Sequence, residues 1–383
     1  MTGGASPSRR FFMTDGHNLK LVIGLRRAIS MWSSAIPLGV PRTLLPILFI
    51  LTVSCSRASM ASASLLDSCK QVLTAGTPNQ ISVHWKGTAT KEWCDSVGPV
   101  VLFAPEVVRQ GDSGSRLILV NWNVHVGRGE VVALVDKISR DERATYHRSP
   151  EFVLLLQESF RRGREVPAAQ GVAPRRIAPG TEIEDVARAL GWWLYYVPSM
   201  RNGSQGGETG EDRGNAILSS LPLSDFVAVE LPFVVQRRVA LMATVTDFEG
   251  VPWLRVAVAH LDTRASVGHG WFLGGPAARN RQAQSLVSAF EEFEESETDD
   301  LPLVVGGDLN SMLGRRESAV ETISRVVPRI DCGSEGTHTL GFALDHVFAR
   351  APLGSPALQC RRMEDTFHSD HHPLVVNFAA RGQ

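Results

Sequence analysis

Residues 369–376, SDHHPLVV, place an aspartate and two histidines directly before an apolar run. Residues 373–378 fit a β-strand, because valine and leucine suit a half-buried pleat. Asp370 and His371 do not fit this explanation, since ionisable side chains are costly to bury without partners. The stretch therefore predicts a strand whose first residues meet polar groups from elsewhere in the chain.

Other predicted strands also end in polar residues. Single pairs of this kind are ordinary helix caps, turn residues or satisfied core histidines. Strands of one sheet deliver their ends to a common rim, so a recurring pattern predicts convergence there. Converging carboxylates repel one another unless a cation lies among them. The pairs are Asn121 and Asn123, Gln157 and Glu158, His260 and Asp262, Asp308 and Asn310, Asp345 and His346, and Asp370 and His371.

From residue 116 onward, short runs rich in β-branched residues alternate with helical patterns, which predicts an α/β (α+β) domain over residues 114–383. The predicted strands are LILVNWN, FVLLLQE, WWLYYV, AILSS, VALMATV, LRVAVAHL, LPLVVGGDLN, ALDHVFA and PLVVNF. The predicted helices span residues 130–140, 183–190, 279–293 and 317–325. Long loops are expected at 161–181 and 199–213.

The composition is that of a globular protein: 383 residues, 43% hydrophobic and 21% charged. The chain has 39 Lys and Arg and 40 Asp and Glu. Residues 1–63 hold seven of the former and one of the latter, so the remainder carries a net charge of −7. Any polyanion would therefore have to bind at a local basic patch.

Residues 1–63 have the layout of a secretory signal: basic residues, the apolar run TLLPILFILTV, then ASA with cleavage expected after Ala63. The apolar run is short for a membrane span, although a retained single-pass anchor is the alternative. We expect a secreted or periplasmic protein that acts as a monomer without an obligatory protein partner.

Residues 64–113 are expected to form a small N-terminal extension linked by a disulfide, since export favours disulfide formation. Four cysteines follow Cys55 and allow three pairings. Pairing of neighbours, Cys69 with Cys94 and Cys332 with Cys360, closes the shorter loops and is the preferred interpretation. Free buried thiols are the alternative.

The polar residues at the strand ends are mostly carboxylates and amides, which are hard ligands. They suit Mg²⁺ or Mn²⁺, with Ca²⁺ also compatible. Histidines are present too, so zinc stays open, although no HExxH spacing occurs. A hard ion that keeps open positions suits a phosphate oxygen and a nucleophilic water. The set therefore favours hydrolysis of phosphate esters.

Seven segments in order resemble the endonuclease/exonuclease/phosphatase superfamily, the DNase I-like fold, over residues 116–379. The resemblance implies a four-layer sandwich of two facing, mostly antiparallel β-sheets flanked by helices, with the site at one rim. The segments are NWNVHVG, LLLQES, RGNAILSSLPL, VAHLDTR, VVGGDLNS, LDHVFA and SDHHPLV.

The resemblance also implies a role for each matched position. Asp345 would orient the catalytic His371, while Asp308 would activate water. The other implied catalytic residues are Asn310 and His260, the implied metal ligands are Glu158, Asn123 and Asp370, and the implied substrate contacts are Arg213 and Asn215.

Three functions remain open from the sequence. The first is a Mg²⁺-dependent phosphodiesterase acting on nucleic acid, and the second is a sphingomyelinase-like enzyme or another phosphatase. The apolar segment HGWFLGG at 269–275 would suit a membrane surface in the second case, although a loop packed on the core is the preferred interpretation. The third is an inactive binding module, which would have lost a metal or histidine position. None of the matched positions is lost.

Overall fold

A computed structural model describes residues 72–75, 82–87, 94–106, 116–167, 178–202, 210–234, 236–263, 277–295, 301–333, 335–351 and 358–378. The expected export signal, residues 1–63, lies outside this part of the chain, as do Cys69 and the apolar segment 269–275. All described residues belong to one compact unit, Met60–Gln383.

Two β-sheets form the centre of this unit. The larger sheet has the strand order β1-β3-β6-β7-β5-β4-β14-β13, and the smaller has the order β12-β11-β10-β9-β8-β2. Most neighbours are antiparallel; the parallel pairs are β1–β3, β2–β8, β4–β5 and β10–β11. The strands are β1 (Val72–Ala75), β2 (His84–Lys86), β3 (Val100–Phe103), β4 (Leu117–Asn123), β5 (Glu151–Gly163), β6 (Trp193–Arg201), β7 (Gly210–Ser219), β8 (Leu223–Glu230), β9 (Val239–Thr246), β10 (Pro252–His260), β11 (Leu303–Asp308), β12 (Asp345–Arg350), β13 (Gln359–Arg362) and β14 (Leu374–Phe378).

Four α-helices cover the outer faces of the sheets in the described part of the chain. Helices α1 and α2 share a core with the outer face of the larger sheet, and α3 and α4 share one with the outer face of the smaller sheet. A third core joins the two inner faces. The helices are α1 (Val131–Tyr146), α2 (Ile183–Leu190), α3 (Ala277–Glu295) and α4 (Ser318–Ser324).

Strand β4 shows why the sheets are buried on both sides. Its side chains alternate between two cores: Leu117 and Leu119 enter the core between the sheets, whereas Ile118 and Val120 pack under α1 and α2. Alternate residues of a strand point to opposite faces, so an unbroken apolar run suits a sheet covered on both sides. The expected four-layer, DNase I-like sandwich is confirmed.

The nine predicted strands and four predicted helices are all present, but two expected loops are shorter than predicted. Residues 159–163 of β5 pair with residues 210–214 of β7, and β6 continues to Arg201. Cross-strand hydrogen bonds hold these polar residues in the sheet although their sequence lacks an apolar alternation. Strand β8 was not predicted: Asp225 has a φ of 51° at a register shift, which interrupts the strand pattern.

The N-terminal extension contributes strands to both sheets. Strands β1 and β3 lie at one end of the larger sheet, and β2 forms an edge of the smaller one. Cys94 is buried and disulfide-bonded, while its expected partner lies outside the described residues. The expected disulfide between Cys332 and Cys360 is confirmed, with a Cα–Cα distance of 4.5 Å. Within the described residues, no helix combines the length and the apolar character needed to cross a bilayer.

Candidate active site

The polar residues at the ends of the strands meet where one rim of each sheet faces the other. In the smaller sheet, His260, Asp308 and Asp345 are in register across β10, β11 and β12. In the larger sheet, Asn123 ends β4 and donates a hydrogen bond from Nδ2 to Asp308 Oδ2 at 2.9 Å. This bond links the two sheets at the site.

The imidazole of His371 is fixed by its neighbours. Its Nδ1 donates to Asp345 Oδ2 at 2.7 Å, and its backbone oxygen accepts from Trp122 Nε1 at 2.9 Å. Its backbone N–H donates to Ser369 Oγ, which itself donates to the carbonyl of Asn123. These bonds hold the ring with Nε2 only 3.8 Å from Asp308 Oδ2.

The two ionisable partners at this point have perturbed pKa values. Burial acts to lower the pKa of His371, but the Asp345 carboxylate with its hydrogen bond, together with the charges of Asp308 and Asp370, raises the pKa to about 10. Burial and then the charge of Asp345 raise the pKa of Asp308 to about 6. Near pH 7 the site therefore combines a protonated imidazole with a carboxylate close to its titration point.

His260 is the neutral member of the group. Its Nε2 lies 3.5 Å from Asp308 Oδ2 and its side chain is buried. Burial, followed by the charges of Arg238 and Arg213, lowers its pKa well below the usual value. An uncharged imidazole at this place can give or accept a hydrogen bond without adding charge.

Glu158 lies on a β-bulge in β5. The pairing of β5 with β7 shifts register between Leu156 and Ser159, and Glu158 has a φ of 54°, in the left-handed region. A bulge redirects a side chain, and strained backbone of this kind clusters at functional sites. The Glu158 carboxylate accepts a hydrogen bond from Arg213 Nη1 at 3.2 Å.

Two asparagines of the predicted site already use their amides within the fold. Asn310, with a φ of 49°, donates from Nδ2 to the carbonyl of Leu261, and its backbone N–H donates to Asp308 Oδ1 at 2.9 Å. Asn215 is buried and donates from Nδ2 to the carbonyl of Val239 in the facing sheet, at 2.6 Å. The geometry thus gives Asn215 a bond between the sheets, and its contact with substrate stays a prediction.

Asp370 is surrounded by histidines, two of which sequence reasoning missed. His125 Nδ1 lies 3.3 Å from Asp370 Oδ1, and His338 Nε2 lies 3.6 Å from Oδ2. The His338 ring stands edge-to-face against the His371 ring, with centroids 4.8 Å apart. His125 lies in a turn, and His338 forms an isolated β-bridge with His371 just before a turn, so neither belongs to a periodic strand pattern.

Arg238 is a further residue that sequence reasoning missed. Its side chain is buried, and its Nε has no hydrogen-bond partner among the described residues. Burial lowers its pKa to about 10, against the charges of Asp262, Glu158 and Asp308. A buried guanidinium aimed at several carboxylates fits a role beside an anionic substrate. The only sequence signal was its position in the RR pair just before β9.

The donor set fits a hard divalent cation. Asp308, Asp345 and His371 offer ligand atoms within 4.8 Å of one another, as do His338, Asp370 and His371. Asp345 Oδ1 is buried with no hydrogen-bond partner among the described residues, and mutual repulsion of the carboxylates favours a cation there. Glu158 belongs to neither of these groups, so its metal role, like that of Asn123, stays a prediction.

Comparisons with known proteins agree with this architecture. Residues 120–371 match the Endonuclease/Exonuclease/phosphatase family. No curated protein matches the chain.

Among solved structures, the human Nocturnin catalytic domain with bound sulfate is 17% identical over 68% of this chain and 93% of that one, with a TM-score of 0.44. An endonuclease/exonuclease/phosphatase from Beutenbergia cavernae is 21% identical over 70% and 72%, with a TM-score of 0.45. Sphingomyelinase C from Streptomyces griseocarneus is 14% identical over 69% and 99%, with a TM-score of 0.45.

At these TM-scores and identities, the solved structures carry no information about substrate. The family match has more weight, because it extends from strand β4 to the catalytic histidine candidate and so includes every element of the rim. The chain therefore belongs to the endonuclease/exonuclease/phosphatase family, whose members hydrolyse phosphate esters.

Proposed function

We propose that the protein is a metal-dependent phosphodiesterase that acts on nucleic acid. The observation that carries the proposal is the buried array of Asp345, His371 and Asp308. Its first pair is joined by a 2.7 Å hydrogen bond, and Asp308 Oδ2 lies 3.8 Å from His371 Nε2. A fixed imidazole next to a second carboxylate suits in-line attack of water on a phosphodiester.

Asp308 is the group best suited to accept the proton of the attacking water. Its pKa of about 6 is close to neutral pH, which favours transfer in both directions. His371, protonated at this pH, faces the same space through Nε2 and would donate to a phosphate oxygen as negative charge develops. Asp345 keeps the imidazole in this orientation and protonation state.

Glu158, Asn123 and Asp370 are the residues proposed to hold Mg²⁺ or Mn²⁺ at this rim, with Ca²⁺ as the other hard ion compatible with them. The bound ion would supply Lewis-acid polarisation of the phosphate and neutralise its charge. Arg213, 25% exposed, and the buried Arg238 add fixed positive charge on the same side of the site. This distribution favours a substrate with a charged phosphodiester.

The test offers the purified protein four substrates in parallel with Mg²⁺: plasmid DNA, RNA, sphingomyelin and an aryl phosphodiester. We expect hydrolysis of nucleic acid and the aryl ester, its loss in excess chelator, and its return when Mg²⁺ or Mn²⁺ is restored. Hydrolysis that persists in chelator would contradict the metal dependence. Cleavage of sphingomyelin alone would move the assignment to a phospholipid enzyme.

The catalytic role of His371 has its own test. His371→Ala should lower kcat by several orders of magnitude while leaving the circular dichroism spectrum near that of the wild type, although loss of the buried partner of Asp345 should lower the melting temperature. His372→Ala is the matched control, because His372 Nδ1 donates to the carbonyl of Met363 at 3.0 Å. An unchanged kcat in the first variant would remove His371 from the mechanism.

We also propose that the protein is exported as a monomer after cleavage at Ala63. The disulfide between Cys332 and Cys360 supports an oxidising compartment. Cell fractionation with N-terminal sequencing of the mature protein tests this. A full-length protein retained in the reducing cytosol would contradict it.

A further inference from the structure

A pocket lies beside the candidate active site. Its volume is about 380 Å³, and it lies between the turn that follows β11 and the loop that precedes β12. Asp345 and His346, the first two residues of β12, form part of its lining. The pocket therefore shares Asp345 with the proposed catalytic array.

Four arginines line this pocket, and two of them are paired with acids. Arg329 lies 3.8 Å from Asp331, and Arg362 forms an ion pair with Glu335. The remaining two are Arg315 and Arg316. Their charges decide which ligand the pocket suits.

Arg315 and Arg316 are adjacent residues of a short 3-10 turn, Gly314–Arg316, and both are exposed. Neither guanidinium has an ion-pair or hydrogen-bond partner among the residues that the structure describes. Gly314 has a φ of 56°, a conformation that favours glycine and that helps to form this turn. The turn thus presents two uncompensated cations at the pocket.

The base of the pocket does not offset these charges. The His346 ring at this base is buried, and its Nε2 is paired with Ser311 Oγ 2.7 Å away. The Asp345 carboxylate is engaged by His371 through its 2.7 Å hydrogen bond. The open side of the pocket is therefore positive, although the chain after residue 63 carries a net charge of −7.

We propose that this pocket binds a phosphate group of a polynucleotide other than the phosphate being cleaved. The turn begins four residues after Asn310, and five residues of extended chain span at most about 18 Å, so Arg315 lies within a few nucleotides of the active site. Arginine forks match phosphate geometry, and paired arginines suit a repeating anionic backbone. A substrate with a single phosphate has no group to place there.

This inference rests on the proposed phosphodiesterase function and narrows its substrate class. The test measures binding of a fluorescein-labelled single-stranded oligonucleotide by anisotropy, in chelator, so that no turnover is needed. The variant is Arg315→Glu with Arg316→Glu. The control is Arg140→Glu with Arg148→Glu, which makes the same charge change at exposed positions on α1 and just before β5, away from the turn.

We expect the turn variant to raise the Kd at least tenfold and to reduce the slope of log K against log salt concentration by about one unit, for the one phosphate contact that is lost. The control should change the Kd less than threefold. Equal losses in both variants, or a wild type that does not bind the oligonucleotide, would overturn the inference.

Hydrolysis of the aryl phosphodiester with Mg²⁺ separates the two proposals. If the wild type hydrolyses this ester but does not bind the oligonucleotide, the pocket assignment fails and the phosphodiesterase stands. If the wild type hydrolyses no phosphodiester, the proposed function fails whatever the oligonucleotide does. In an active wild type, the ratio of kcat/KM for polynucleotide to that for the aryl ester should fall at least tenfold in the turn variant.

Discussion

The pairing of His371 with Asp345 is the smallest unit on which the proposed chemistry depends. Asp345→Asn keeps the side-chain volume but removes the charge that raises the pKa of His371. We expect kcat to fall by about 10³-fold or more, since the same change in a Ser-His-Asp triad costs about 10⁴-fold. The readouts are kcat and NMR titration of the imidazole. Exposed Asp141→Asn is the control, and a variant that keeps both its rate and its histidine pKa would contradict the assignment.

At this scale, the sequence predicted the residues that end strands and missed those that turns supply. Asp308 and His371 were found because each adjoins a recognisable strand. His125 and His338 were not, because the turn and the isolated β-bridge that bring them to Asp370 have no periodic pattern. Arg238 was missed for another reason: the charges around it, on Asp262, Glu158 and Asp308, come from both sheets, and the local sequence carries no information about their approach.

The bulge in β5 is the element that sets the direction of Glu158. A left-handed conformation costs an L-residue roughly 1 kcal/mol more than it costs glycine. The free energy of unfolding should therefore be about 1 kcal/mol higher for Glu158→Gly than for Glu158→Ala. Both variants lose the contact with Arg213 equally. Urea denaturation measures the difference. Equal stabilities, or a more stable alanine variant, would show that the bulge carries no backbone strain.

Helices and strands were predicted well where burial of one face requires apolar residues at regular spacing in the sequence. They were predicted poorly where cross-strand hydrogen bonds alone define them. Helix α2 was predicted with its observed bounds, since its apolar face repeats at helical spacing. Strands β5 and β7 extend into the segments that were expected to be loops. Charged residues such as Glu211 and Asp212 occupy strand positions there. The Asp212 carboxylate accepts hydrogen bonds from Arg161 and Tyr196. No pattern in the local sequence predicts these contacts.

For the whole molecule, the register of the two sheets explains why the site is where it is. Gln157, at the middle of β5, donates from Nε2 to Asn121 Oδ1 near the end of β4 at 2.9 Å, and Asn121 Nδ2 donates to the backbone oxygen of His346 in the other sheet. The fold class followed from the ordered motifs, but this register across the sandwich is a property of tertiary packing. The buried polar rim that results must remain satisfied for the fold to be stable.

Acid should destabilise the fold through His346, which is buried in this rim with Nε2 and Ser311 Oγ 2.7 Å apart. Its folded pKa of about 4 is below the unfolded value of about 6.5, so the unfolded chain binds the proton first. Its contribution, about 3 kcal/mol, is present above pH 6.5 and is lost as the pH falls towards 4. The raised pKa of Asp308 acts in the opposite direction, so only a comparison of variants isolates this histidine.

The comparison uses His346→Gln, which keeps a hydrogen-bonding side chain but cannot be protonated in this range. Its free energy of unfolding should fall less steeply than that of the wild type between pH 6.5 and pH 4, by about 3 kcal/mol over that window. Exposed His84→Gln should follow the wild-type curve. Parallel curves for wild type and His346→Gln would mean that this imidazole takes up its proton equally in the folded and unfolded states, and that the buried rim tolerates the charge.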